Sequence, residues 1–222
     1  MKDMGDDETK SRRRRSAIQD PADAKSSRWD KLAVTYNISS YSKSSLQNTE
    51  IQKAIKDALN MWERVTALKF SPATSKVDGV DIDIKFFNGS HSTKPEDKNF
   101  DGVGGTLAHA FYPEHGGSVH FDDAEPWKIG CETKSGTDFV QVAAHEIGHS
   151  IGLRHSNIAG TLMAPKYSKC IPNHTEILKD DDISSATALY GQSICKKGCK
   201  NGKCIAEKCE CDSGWRGQIC KT

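Results

Sequence analysis

No stretch of this chain is apolar for long enough to cross a bilayer. A membrane helix needs about 20 consecutive apolar residues, and the mean hydropathy here is −0.64. A charge excess of one sign is also missing. Thirty-one basic residues against 30 acidic ones leave a net charge of +1, which gives no sign of a nucleic-acid partner. The opening Met1-Lys2-Asp3-Met4-Gly5 has no apolar core and is no signal peptide. The expectation is a fragment, or a chain whose true N-terminus lies upstream. No cysteine precedes Cys131, yet the chain has eight, and six of them crowd into the tail from Cys195 onward. Such a tail argues for an oxidising, extracytoplasmic setting and a secreted protein. With 222 residues there is room for one larger domain and a small appendage.

What is present is dominated by His145-Glu146-Ile147-Gly148-His149-Ser150-Ile151-Gly152-Leu153-Arg154-His155, which reads H-E-x-x-H-x-x-G-x-x-H. His145 and His149 are four apart, so on a helix they share a face and can grip one metal ion. Gly152 tolerates positive φ and lets the chain leave the helix sharply, swinging His155 back as a third imidazole. Three neutral imidazoles suit Zn²⁺ and leave a fourth position open for water, the mark of a catalytic site. Glu146 follows the first ligand and can reach that water without binding the metal. The chemistry this predicts is metal-assisted hydrolysis of a peptide bond. H-E-x-x-H alone also arises by chance, with the histidines as core residues; the extended form fixes further positions and makes chance a poor explanation. Met163 can be core filler, but its place shortly after the third histidine resembles the Met-turn of metzincins.

Within that group the chain resembles the matrixins, the matrix metalloproteinase family. Ser156 follows the third histidine, where astacins and adamalysins typically carry an acid. Val142-Ala143-Ala144-His145-Glu146, Leu107-Ala108-His109-Ala110, His120-Phe121-Asp122, Met163-Ala164-Pro165-Lys166-Tyr167, Asp181-Asp182-Ile183 and Leu189-Tyr190-Gly191 all resemble matrixin segments. Together they cover roughly Trp29 to Gly191. The resemblance implies a mixed α/β (α+β) metzincin catalytic domain over residues 29–191. It would have a twisted mixed sheet, an active-site helix and a Met-turn.

Periodicity supports the elements but not their topology. Leu32, Val34, Tyr36 and Ile38 alternate like a half-buried strand, as do Val80, Ile82, Ile84 and Phe86. Ile51, Ile55, Leu59, Trp62 and Val65 recur at helical spacing and read as core packing. Strands are expected near 107–112 and 118–121, and helices near 138–151 and 180–190. Residues 1–28 are polar and read as disordered. Arg12-Arg13-Arg14-Arg15 within them is either a solvated basic run or a furin-type cleavage site that makes the protein a zymogen. The cysteine switch usual in the family is absent from this sequence. Asn37, Asn88 and Asn173 open N-glycosylation triplets of a kind common by chance.

The resemblance also implies supporting ions. His91, His109 and His120 would hold a second, structural zinc closed to substrate. The family's carboxylate ligand falls at Thr93 here, so Asp97 or Glu96 is expected to reach back, with Asp97 chosen; a lost ligand is the alternative. Asp101-Gly102-Val103-Gly104-Gly105-Thr106 resembles a calcium loop. Asp101, Asp122 and Glu125 would give side-chain oxygens, and Gly102, Gly104 and Thr106 would give carbonyls. An ordinary glycine turn is the bland reading. A further calcium loop of the family is shorter in this chain.

By the same resemblance, Glu146 is general base and Leu107 and Ala108 belong to an edge strand that pairs with an extended protein substrate. Pro165 and Tyr167 wall the pocket for the side chain after the cut, where the family commonly takes an apolar residue. Asp181 and Asp182 brace the Met-turn and meet the freed N-terminus. Cys131 and Cys170 stand apart from the tail and are expected to form a disulfide stiffening the pocket rim; two buried thiols are the alternative. The tail over residues 192–222 resembles an EGF-like module. Its spacing alone allows fifteen pairings; the module's family implies Cys195–Cys204, Cys199–Cys209 and Cys211–Cys220. A hemopexin-like domain, usual in matrixins, is absent from this sequence. The expectation is a monomeric secreted zinc and calcium protease acting on extracellular proteins, with an EGF-like module that binds a protein partner. The competing reading is a binding protein whose protease domain is incidental.

Overall fold

Alternation places Val34 on the buried side of β1 (Ala33–Ile38) and Ile82, Ile84 and Phe86 on that of β3 (Ile82–Phe87). The computed structural model of the chain describes residues 27–74, 79–91, 97–132, 135–167, 169–192, 201–205, 208–217 and 221. Between the two strands, α1 (Asn48–Val65) crosses the sheet and returns the chain to β2 (Lys69–Pro72), parallel to β1. Glu50 accepts from the Gln47 amide at 2.8 Å and closes the first turn of α1. The helix buries Ile51, Ile55, Leu59 and Trp62, the periodic face read from the sequence. Val65 is half-buried rather than core.

Two further strands, β4 (Ala108–Ala110) and β5 (Val119–Asp122), complete a five-stranded sheet of order β2-β1-β3-β5-β4. Its pairs are parallel except β4 with β5. The sheet is therefore mixed, with β4 at one edge. β2 was not anticipated; it is the other edge, which is where Pro72 is tolerated within a strand. Leu32, expected on the buried face, is 49% exposed one residue before β1.

Short strands β6 (Trp127–Lys128) and β7 (Thr137–Asp138) lead into α2 (Phe139–Ser150), every residue of which is buried. The Trp62 indole donates to the Ala144 carbonyl at 2.9 Å and locks α1 against α2. The last helix of this region, α3 (Asp180–Tyr190), opens with three acids that suit the positive end of its dipole. In the tail, β8 (Gly202–Ile205) and β9 (Lys208–Cys211) form an antiparallel hairpin whose register pairs Cys204 with Cys209. Cys211 is disulfide-bonded. Cys195, Cys199 and Cys220 lie outside the described residues, as do Arg12 to Arg15, Thr93 and Glu96. Among the described residues no helix is long and apolar enough to cross a membrane.

Candidate functional site

Asp138 caps α2 by accepting from the Gln141 amide at 3.2 Å. Farther along, the helix presents His145, Glu146 and His149, each 0% exposed. His145 Nδ1 lies 2.7 Å from the Leu162 carbonyl, and His149 Nδ1 lies 2.7 Å from the Leu153 carbonyl. A carbonyl can only accept, so both Nδ1 atoms carry a proton, and in the neutral rings both Nε2 atoms present lone pairs. Those two Nε2 atoms face each other at 3.1 Å. Two lone pairs at that separation repel; a cation between them reconciles the arrangement. Nitrogens about 2.0–2.1 Å from a tetrahedral zinc would stand about 3.3 Å apart. The donor set therefore fits the ion, and the carbonyl partners are the kind that orient metal-bound imidazoles.

His155 joins the pair through the turn at Gly152, whose φ is +96°. The Leu153 amide closes that turn on the Gly148 carbonyl at 2.9 Å. The ligand atoms of His145, His149 and His155 all lie within 4.8 Å of one another. Conformational freedom is one reason for glycine at 152. Close approach is a second: a Cβ there would stand 1.8 Å from the Ser27 carbonyl oxygen. Residues 27–29 are strapped over the helix end. The Trp29 indole donates to the Ser150 carbonyl at 3.0 Å, and its amide donates to the Tyr190 hydroxyl at 3.0 Å. That hydroxyl donates in turn to the Ile151 carbonyl at 2.7 Å. Burial pushes the Tyr190 phenol up to about 12.

Beneath α2 lies Met163, 2% exposed. Asp182, 1% exposed, accepts from the Leu162 and Met163 amides at 2.9 Å each. Because the Leu162 carbonyl orients His145, the carboxylate of Asp182 sets the histidine through one stretch of backbone. Asp181 stands beside it in the first turn of α3, on a cavity of about 350 Å³ that His155 also lines.

A second cluster is built across β4 and β5, whose register pairs His109 with His120. His109 Nε2 and His120 Nδ1 are 3.1 Å apart. A single oxygen of Asp97 lies 3.0 Å from His109 Nε2, 3.1 Å from His91 Nε2 and 3.2 Å from His120 Nδ1. The Gly89 carbonyl, 2.9 Å from His91 Nδ1, fixes that ring with its Nε2 toward Asp97. Burial, then the neighbouring His120, lowers His109 to about 3; burial lowers His120 to about 4. Both imidazoles are thus neutral at pH 7, the form a metal needs. These four side chains could together hold a metal ion, as could the three of His145, His149 and His155.

The carboxylates at the end of β5 and just beyond it meet the glycine loop. Asp122 accepts from the Gly102 amide at 3.1 Å, and Glu125 accepts from the Gly104 amide at 2.6 Å. Asp101 accepts from the Thr106 amide at 2.7 Å. Burial raises the Asp122 carboxyl above its usual range. Among the described residues, however, the ligand sets drawn within 4.8 Å are the two histidine clusters, and the three acids do not form a third.

Leu107 and Ala108 are buried at the start of the edge strand. Pro165 and Tyr167 help to wall a cavity of about 460 Å³ between residues 156–160 and 164–167. Cys131 and Cys170 form a disulfide with Cα atoms 5.5 Å apart. Sequence reasoning missed Asp138, Gln141 and the strap. The spacing of Asp138 three residues before Gln141 is a capping signal that could have revealed the first two.

Comparisons with known proteins agree with this geometry. The sequence profile of the family described as Matrixin matches residues 28–191. The chain is similar to a hatching enzyme of Paracentrotus lividus, 43% identical over 72% of this chain and 26% of the relative. It is similar to matrix metalloproteinase-18 of Xenopus laevis, 42% identical over 77% of this chain and 35% of the relative. It is also similar to a macrophage metalloelastase of Rattus norvegicus, 42% identical over 76% of this chain and 34% of the relative. The match thus spans about a third or less of the length of these relatives.

Proposed function

The chain belongs to the matrixin family, and from that premise we propose that it is a secreted zinc-dependent endopeptidase that cleaves extracellular proteins. The observation that carries this reading is the pair of His145 and His149 Nε2 atoms turned toward each other at 3.1 Å. His145, His149 and His155 would hold Zn²⁺, which when bound supplies Lewis acidity to a scissile carbonyl and makes water a stronger acid. Glu146, fixed by α2 one residue after His145 and wholly enclosed, takes the proton of the attacking water and delivers it to the leaving amine. The edge of β4 pairs with the extended substrate backbone. The cavity walled by Pro165 and Tyr167 receives the side chain that follows the cut.

Supporting roles belong to the same reading. His91, Asp97, His109 and His120 would hold a structural zinc that ties the loop before Phe100 to β4 and β5. Asp101, Asp122 and Glu125 do not gather into one three-carboxylate group, so Ca²⁺ here would draw on them together with the carbonyls of Gly102, Gly104 and Thr106. The positive φ of Gly102 and Gly104 is what supports a wrapped loop there. Secretion is supported by the Cys131–Cys170 bridge and the bonded Cys211. The tail is an EGF-like module, with Cys195–Cys204, Cys199–Cys209 and Cys211–Cys220 as its bridges, and it docks a protein partner.

Hydrolysis of a quenched fluorescent peptide with an apolar residue after the scissile bond tests the activity. Cleavage that a zinc chelator stops, and zinc restores, is expected. A folded, zinc-loaded chain that cleaves nothing would overturn it.

A further inference from the structure

The segment that follows the cavity wall is tied to the start of α2 at successive points. The Tyr167 hydroxyl accepts from the Asp138 amide at 3.4 Å. Gln141 spans the next stretch: its Nε2 donates to the Lys169 carbonyl at 3.3 Å, and its Oε1 accepts from the Ile171 amide at 3.1 Å. Between those two contacts Cys170 is bonded to Cys131. Farther on, His174 Nε2 lies 2.8 Å from Asp138 Oδ2, while Asp138 Oδ1 accepts from the Gly130 amide at 2.8 Å. Both arms of the bridge, residues 130–131 and 169–171, therefore converge on one helical turn, four residues before His145.

The other end of the wall is pinned as well, since Asp182 holds the Leu162 and Met163 amides. Residues 164–167, which line the 460 Å³ cavity, are thus stretched between two fixed points. Hydrogen bonds at an exposed loop exchange readily with water; a covalent bridge does not. We propose that the Cys131–Cys170 disulfide, with Gln141 beside it, sets the size selectivity of this cavity. It prevents the wall from moving outward to admit a long side chain. These are positioning residues, and the inference rests on the protease reading above. It goes beyond a stiff rim, because it assigns the bridge a consequence for which peptides are cut.

The test uses two quenched peptides that differ after the scissile bond, one with leucine and one with the longer biphenylalanine. Native protein should prefer leucine. In the Cys131→Ala/Cys170→Ala double variant, kcat/KM for the biphenylalanine peptide should rise about tenfold relative to the leucine peptide, chiefly through KM. Turnover of the leucine peptide should stay within about twofold. Gln141→Leu, which keeps the bridge, should shift the ratio in the same direction by less. Hydrogen exchange gives a readout independent of turnover: the Ile171 amide should lose protection in both variants while the amides of α2 keep theirs.

An unchanged ratio in active protein, or an equal fall for both peptides, would overturn the clamp and leave the protease reading standing. A native protein that accepts both peptides equally would do the same. Failure of native protein to cleave either peptide in a chelator-sensitive way would remove both.

Discussion

Met163 packs against the bare backbone of Gly148, so closely that a Cβ on that glycine would stand 2.5 Å from the methionine sulfur and 3.0 Å from Trp62 Cζ2. An alanine in a helix interior ordinarily gains about 1 kcal/mol over glycine. Here that gain is opposed by a clash in a close-packed core, where overpacking costs about 1–3 kcal/mol. Gly148→Ala should therefore lower the denaturant midpoint. It should also lower cleavage, since displacing Met163 displaces the Leu162 carbonyl that orients His145. A variant as stable and as active as the native protein would show that the Met-turn is not seated on this glycine.

The strap makes a separate prediction. Tyr190→Phe removes the hydroxyl that accepts from the Trp29 amide and donates to the Ile151 carbonyl. Leaving those backbone groups without a partner should cost about 1–3 kcal/mol. Protease nicking should appear first near residues 27–29. Unchanged stability would mean that the strap contributes nothing to holding the end of α2.

His174 gives the pH dependence. Its hydrogen bond to Asp138 raises its pKa above 6.5, with Asp57 adding to the rise and Lys53 opposing it. A raised folded-state pKa means stability fully present below the ordinary value and lost as pH climbs through the folded one. The stability gap between native protein and His174→Asn should accordingly be widest near pH 6 and narrow toward pH 9. A gap that widens with pH would contradict the pairing.

How much of this was legible beforehand depends on the range of the interaction. Helical spacing in α1 and α2 is local, and Ile51, Ile55, Leu59 and the pair His145 and His149 could be read from it. Gly152 was read correctly as a turn but for one of its two reasons. The close approach of the Ser27 carbonyl involves a residue distant in sequence. Likewise β2 has too few residues for a periodic signal, and it owes its existence to pairing with β1. His91, His109 and His120 were each unremarkable alone; the β4–β5 register brings two of them face to face.

The sequence points to Asp97 as a reach-back ligand, and its oxygen lies within 3.2 Å of a ring nitrogen of each of His91, His109 and His120. Asp97→Ala should lower retained zinc after dialysis from about two ions per chain to about one, since the proposed structural site would lose its carboxylate. Metal analysis checks this directly. Undiminished zinc content would mean that Asp97 holds no metal.

The most direct test pairs zinc content with initial cleavage rate on the same samples of native protein and Glu146→Ala. The account predicts equal zinc, because Glu146 is no ligand, and a rate lower by about 10²–10⁴-fold, because the proton acceptor is gone. Retained turnover in the zinc-loaded variant would contradict it.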